Sequence, residues 1–177
     1  MKKILTILVI TVLLVSTLAG CNKAPVEKDL SLSIGVVVTE SLAKAKLTES
    51  VAAIVTDAEG KIVLCRIDCV EYTAKFDEGG ALDTTSPISK VAAGDSYGAM
   101  PAGTWEAQAK ALENYVTGKT QSEVSAIALD GGVATDADLK ASCSVNITDV
   151  LAAIDNAFKS DKKNKLQGID RRSYGRT

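Results

Sequence analysis

Near the C-terminal end, Ser142, Cys143, Ser144 and Thr148 crowd into the stretch DLKASCSVNITDVLAAI, residues 138–154. Directly after them, Val150, Ile154, Ala157 and Phe158 recur at the spacing of one helix face. A helix N-terminus presents free N–H groups and the positive end of the peptide dipole, so it attracts phosphate. A turn over 138–144 feeding that helix would then make a phosphate seat, with Asp138, Ser142, Ser144 and Thr148 as its candidate residues. Ser and Thr also cap ordinary helices everywhere, and on chemistry alone that is the commoner account of such a stretch. A second candidate is GDSYGAMPAGTW, residues 94–105. Glycines such as Gly98 allow close backbone approach to a ligand. Tyr97 and Trp105 offer ring faces to a planar group, although a turn that anchors a helix through Trp105 needs the same residues.

The chain has no histidine. That excludes a Ser-His-Asp triad, a Cys-His dyad and a His-ligated zinc site. No nucleophile has a credible base, so no catalytic residue is expected. The acidic pairs Asp136 with Asp138, and Asp77 with Glu78 and Asp83, lack the spacing of a calcium loop, and no metal is expected.

Location is more legible than chemistry. Lys2 and Lys3 followed by the apolar run Ile4–Val15 form the n- and h-regions of a leader. The run is shorter than the roughly 20 residues needed to span a bilayer. LAGC, residues 18–21, then matches a bacterial lipoprotein processing box, which makes Cys21 the expected lipidated N-terminus. The acyl chains would hold the protein on the outer face of the cytoplasmic membrane. From Cys21 to Phe158 there are 11 basic and 20 acidic side chains, a balance of −9, which argues against nucleic acid as partner. From Lys159 to Thr177 the balance is +5, and this basic, apolar-poor tail is expected to lack structure.

The expected organisation is a leader over 1–20, a spacer over 21–30, one domain over 31–158 and a tail over 159–177. Within the domain, Val51–Thr56 and Lys61–Tyr72 read as strands joined by the turn DAEG. Val63, Cys65, Ile67 and Cys69 form the uniformly apolar set of the second strand and should face the core, with Ile62, Leu64, Arg66, Asp68 and Val70 on the other face. Residues 77–96 read as a long irregular connection. Trp105, Ala109, Leu112 and Val116 mark a helix over 104–117, and Thr120 with Glu123 forms a capping box opening a short helix. A last helix is expected over 149–159. Strands first and helices later imply an α+β fold, a twisted antiparallel sheet packed by two to three helices.

Three segments in this order resemble the FMN-binding domain family, found in flavin-carrying subunits of bacterial ion-pumping electron-transport complexes and in related surface lipoproteins. AIVTDAEGKIVLCRI (53–67) is similar to the family's opening hairpin, and GTWEAQAKALENYVTGKT (103–120) to its aromatic helix ending in G-K-[ST]. Residues 138–144 are similar to its D-x-x-[ST]-G-A-[ST] motif. The resemblance implies FMN as cofactor and electron transfer as function, the redox partner remaining open. It also places the motif's aspartate at Asp138 and its flavin-accepting hydroxyl at Ser144. The chain departs from the motif at Ala141, Ser142 and Cys143, where the family carries a hydroxyl, a glycine and an alanine. The alternative expectation is a flavin-free surface lipoprotein that binds a small molecule or a protein.

Overall fold

A computed structural model describes residues 29–83, 87–98 and 100–166. Cys21, the leader, most of the spacer and residues 167–177 lie outside the described residues. The core is a five-stranded antiparallel sheet in the order β6-β3-β2-β1-β9. Its long strands are β1 (Leu30–Ser41), β2 (Lys46–Thr56) and β3 (Ile62–Thr73), and its edges are the short β6 (Ile88–Ser89) and β9 (Asn164–Leu166). The helices are α1 (Lys90–Ala93), α2 (Trp105–Val116), α3 (Gln121–Ser125), α4 (Ala137–Ser142) and α5 (Thr148–Lys159). This is one α+β domain. The small hairpins β4 (Lys75–Phe76) with β5 (Leu82–Asp83), and β7 (Leu129–Asp130) with β8 (Val133–Ala134), stand apart from the main sheet.

Alternation sets the sheet's two faces. Ala52 pairs with Ile67 and Ile54 with Cys65, and this face carries the core. Cys65, Ile67 and Cys69 are buried and Arg66 is exposed as expected, but Ile62 is buried and Val63 exposed, because the β2–β3 pairing shifts register between Val55 and Thr56. The DAEG turn closes as read: Gly60 has φ +74° and its N–H donates to the Asp57 carbonyl at 3.0 Å. Ile62 is also tied to the GKT segment, accepting from Gly118 N at 2.7 Å and donating to the Lys119 carbonyl at 2.9 Å.

Helices α2 and α5 cover the core face. Trp105, Ala109, Leu112 and Val116 of α2 are all buried, as are Val150, Ala153, Ile154 and Ala157 of α5. Thr104 caps α2 through its side chain, which accepts from Ala107 N at 3.1 Å. Thr120 and Glu123 form the capping box of α3. Helix α5 lies directly on β1 at Gly35, where a Cβ would overlap the carbonyl oxygen of Ala153 and the amide nitrogen of Ala157.

The structure departs from the sequence expectations in three further places. Residues 137–142 form helix α4 rather than a turn, because the Asp136 side chain accepts from Leu139 N at 2.9 Å and so caps it. The connection after β3 contains β4, β5, β6 and α1, so it is less irregular than its glycines suggest. Part of the basic tail is structured: Asn164 and Leu166 of β9 pair with Leu32 and Leu30. Backbone pairing needs no apolar side chain, so composition did not reveal it.

Candidate functional site

Between the core face of the sheet and the helices lies a cavity of about 380 Å³. Thr48, Ser50, Ile67, Cys69 and Glu71 form its sheet wall, and Trp105, Ala109 and Leu112 of α2 a second wall. Cys143 and the residues from Val145 to Val150 close the third side, with Lys90 beside them; Ser144 is not part of the lining. Two stretches that the sequence singled out therefore meet, and Trp105 and Thr148 both line the space. At this size the cavity falls in the lower range of small-ligand sites.

The join between those stretches is Gln108, which the sequence reading missed. Gln108 is fully buried on α2. Its Nε2 donates to the Gly103 carbonyl at 2.9 Å, and its Oε1 accepts from Ser144 N at 2.8 Å and from the Ser144 hydroxyl at 3.3 Å. One amide thus fixes the glycine-rich loop on one side and the serine stretch on the other. Its signal was present in the sequence, since Gln108 stands three residues after Trp105 on the apolar stripe of its helix.

The other expected residues take different places. Asp138 is exposed on α4. Ser142 ends α4, and its hydroxyl donates back to the carbonyls of Asp138 and Leu139, both at 3.2 Å. Thr148 opens α5, but its N–H is already taken by the Asn146 Oδ1 at 3.0 Å. Gly98 is exposed, with φ +118° at the end of the 3-10 turn Gly94–Tyr97. Tyr97 is half-buried beside the cavity, and its hydroxyl donates to Glu71 at 3.2 Å.

A polar cluster outside the expected set rims the cavity. Glu71 accepts from Lys46 at 2.6 Å and from Lys90 at 2.7 Å. The Lys90 ammonium also stands over two rings, 4.9 Å from the centre of Tyr97 and 5.7 Å from that of Trp105. Burial alone would raise the Glu71 carboxyl, but the hydrogen bonds from Lys46 and Lys90 outweigh it and hold the group below its ordinary 4.5. Burial alone would lower Lys90, but its hydrogen bonds to Glu71 and Tyr97 outweigh that and raise it above 10.5. A depressed carboxyl contributes stability that is present above its unfolded value and is lost as pH falls through its folded one. The raised ammonium acts oppositely, its contribution being present below 10.5 and lost as pH rises through its folded value. Melting temperature should therefore fall on acidification below about 4.5. Glu71→Gln should show a shallower fall, measured by circular dichroism across pH. Parallel acid limbs for both proteins would contradict the assignment.

Cys69 and Cys143 also line the cavity. Burial raises both thiols, the Ser50 hydroxyl partly offsetting it at Cys69. Burial, with Glu113 adding to it, pushes Cys65 up to about 12. The nucleophilic thiolate is thus disfavoured at all three. In the folded protein at pH 8, Cys65, Cys69 and Cys143 should fail to react with a chromogenic disulfide reagent, and denaturant should release three thiols. Rapid modification of any one of them before unfolding would contradict this.

Among the described residues no group of three or more His, Cys, Asp or Glu side chains could hold a metal ion. No described helix is long and apolar enough to cross a membrane. Comparison with family models, with curated proteins and with solved structures finds no match for this chain.

Proposed function

We propose that this chain is a membrane-tethered extracytoplasmic binding module, anchored through lipid on Cys21, whose site is the cavity between the sheet and α2. The observation that carries the reading is the shared lining: Trp105 from one singled-out stretch, and Cys143 with Val145 to Val150 from the other, wall the same space. The lining is amphiphilic. Ile67, Leu112 and Val150 offer apolar surface, while Lys90, Glu71, Asn146 and Asp149 offer charge and hydrogen bonds. That suits a small, partly planar ligand with an ionic group.

FMN is the first ligand to test, because the sequence resemblance names it. A phosphate does not fit at Ser144 as the residues stand. The Ser144 amide and hydroxyl are both engaged by Gln108, and the first amide of α5 is engaged by Asn146. This supports a non-covalent mode of holding. If flavin binds, its isoalloxazine would supply the electron-carrying chemistry, and this chain's residues would hold and shield it. The second reading, a flavin-free module for another small molecule or a protein, draws on the same engaged Ser144.

Trp105 is the only tryptophan of the chain and lines the cavity, so its fluorescence reports on occupancy. Titration with FMN should quench it saturably in the native protein. Ala109→Leu, which fills the cavity from α2, should weaken that quenching by at least tenfold. Flavin quenching that is linear and unchanged by Ala109→Leu would dismiss FMN and leave the second reading.

A further inference from the structure

Strand β3 pairs with β6 only at Val70 and Glu71, so the residues before them leave a strand edge, and α2 runs beside it. Side chains occupy that edge in place of another strand. Glu113 Oε1 accepts from Ile67 N at 3.1 Å, and Arg66 Nη1 donates to the Cys65 carbonyl at 2.8 Å. Between this edge and α2 lies a groove of about 750 Å³, with Val51, Ala53, Val91 and Ala107 as apolar surface. Ile67 and Ala109 stand between it and the cavity described above, lining both.

We infer that this groove is a second ligand site, for a short linear peptide with free ends and apolar side chains. Its charges are sorted by position. At one end Glu113 is buried, and its Oε2 accepts from Arg66 Nη1 at 2.9 Å and from Lys110 Nζ at 3.1 Å, two cations on one carboxylate. The Arg66 side chain is 57 % exposed and uses only Nη1 internally, so a fixed guanidinium keeps its other donors for a peptide carboxylate. Lys110, 52 % exposed, stands beside it. Toward the other end, Glu106 is exposed one turn before Lys110 and takes no part in that cluster. Asp68 also lines the groove, but its oxygens already accept from Ser89 Oγ, Val91 N and Cys69 N, which leaves Glu106 for the peptide ammonium. Arg66 and Lys110 against Asp68, Glu106 and Glu113 leave a balance of −1, so a simple anion is the poorer occupant and a zwitterion the better one. Glu106 precedes Lys110 by four residues and Glu113 by seven, about 6 and 10 Å along the helix axis. An extended chain of two to three residues, at about 3.3 Å each, spans that separation, whereas a single amino acid does not.

Titration calorimetry on the full chain tests this with alanyl-valyl-alanine, its C-terminal amide and its N-acetyl form. The free tripeptide should bind saturably, the amide at least tenfold more weakly and the acetyl form at least threefold more weakly. Arg66→Gln should weaken the free tripeptide at least tenfold and leave it no better bound than its amide, a loss of discrimination that a folding defect alone would not produce. Arg66 also holds Glu113, so a second variant is Ala107→Trp, which fills the groove from an exposed position on α2 that is no part of the cavity. It should abolish tripeptide binding while leaving the melting temperature within a few degrees. Absence of saturable binding to the native protein, equal binding of the three peptides, or binding that survives Ala107→Trp would overturn the inference.

Discussion

Gly35→Ala should leave little folded protein. The new Cβ would sit where the Ala153 carbonyl oxygen and the Ala157 amide already are. Both are backbone atoms of α5, so no side chain can swing away, and the helix must lift from β1 as a body. Lifting it opens the contacts of Ala153, Ile154 and Ala157, all fully buried. It also strains the bond from the Asn156 side chain to the Val36 carbonyl, 3.0 Å long. Overpacking costs about 1–3 kcal/mol where side chains can adjust and more where they cannot. A loss above about 3 kcal/mol is a large part of the 5–15 kcal/mol that holds an ordinary domain together. A melting temperature lower by at least about 10 °C is expected. A variant melting within about 2 °C of the parent would show that α5 does not sit as described.

Gln108→Leu should be the second most costly change, and for a different reason. Leucine keeps most of the volume, so the loss isolates the hydrogen bonds. The Gly103 carbonyl and the Ser144 amide would both lose their partner beside the core, at about 1–3 kcal/mol each. The two together come to about 2–6 kcal/mol, read by denaturant titration. A distinct local consequence should follow, since Gln108 ties residues 103 and 144 to one another. Amide hydrogen exchange should quicken at Ser144 and through residues 100–104 before it quickens in β2. Unchanged exchange at Ser144 would contradict the bridging role.

The core was legible where a period ran long enough to be counted. The alternation from Leu64 to Cys69 matched the buried set of β3, and the recurrence from Trp105 to Val116 the buried stripe of α2. At Ile62 and Val63 the alternation failed, because a register shift against β2 at Val55 and Thr56 turns Ile62 inward. Helix α4 escaped because six residues are too few to display a period, and its cap, Asp136, resembled an ordinary surface charge. Strand β9 escaped because it is held by backbone bonds within a basic segment. The cavity was legible only in part. Trp105 and Thr148 drew notice by their types, but the groups that rim the cavity come from distant places. Glu71 and Lys90 are joined only because β6, pairing with β3 at Val70 and Glu71, sets α1 beside that strand. No local pattern announces such a pairing. Gln108 did carry a local sign, a polar residue at a core-facing position, and a buried amide there implies partners on both sides.

Mass spectrometry of the protein extracted from its own membranes tests the central claim most directly, by comparing native with denaturing spray. The account predicts lipid on Cys21 in both spectra. It also predicts a small-molecule adduct that is present in native spray, absent after denaturation, and missing from Ala109→Leu in either. An adduct that survives denaturation and maps to Ser144, or an unmodified Cys21 with no adduct in any spectrum, would contradict it.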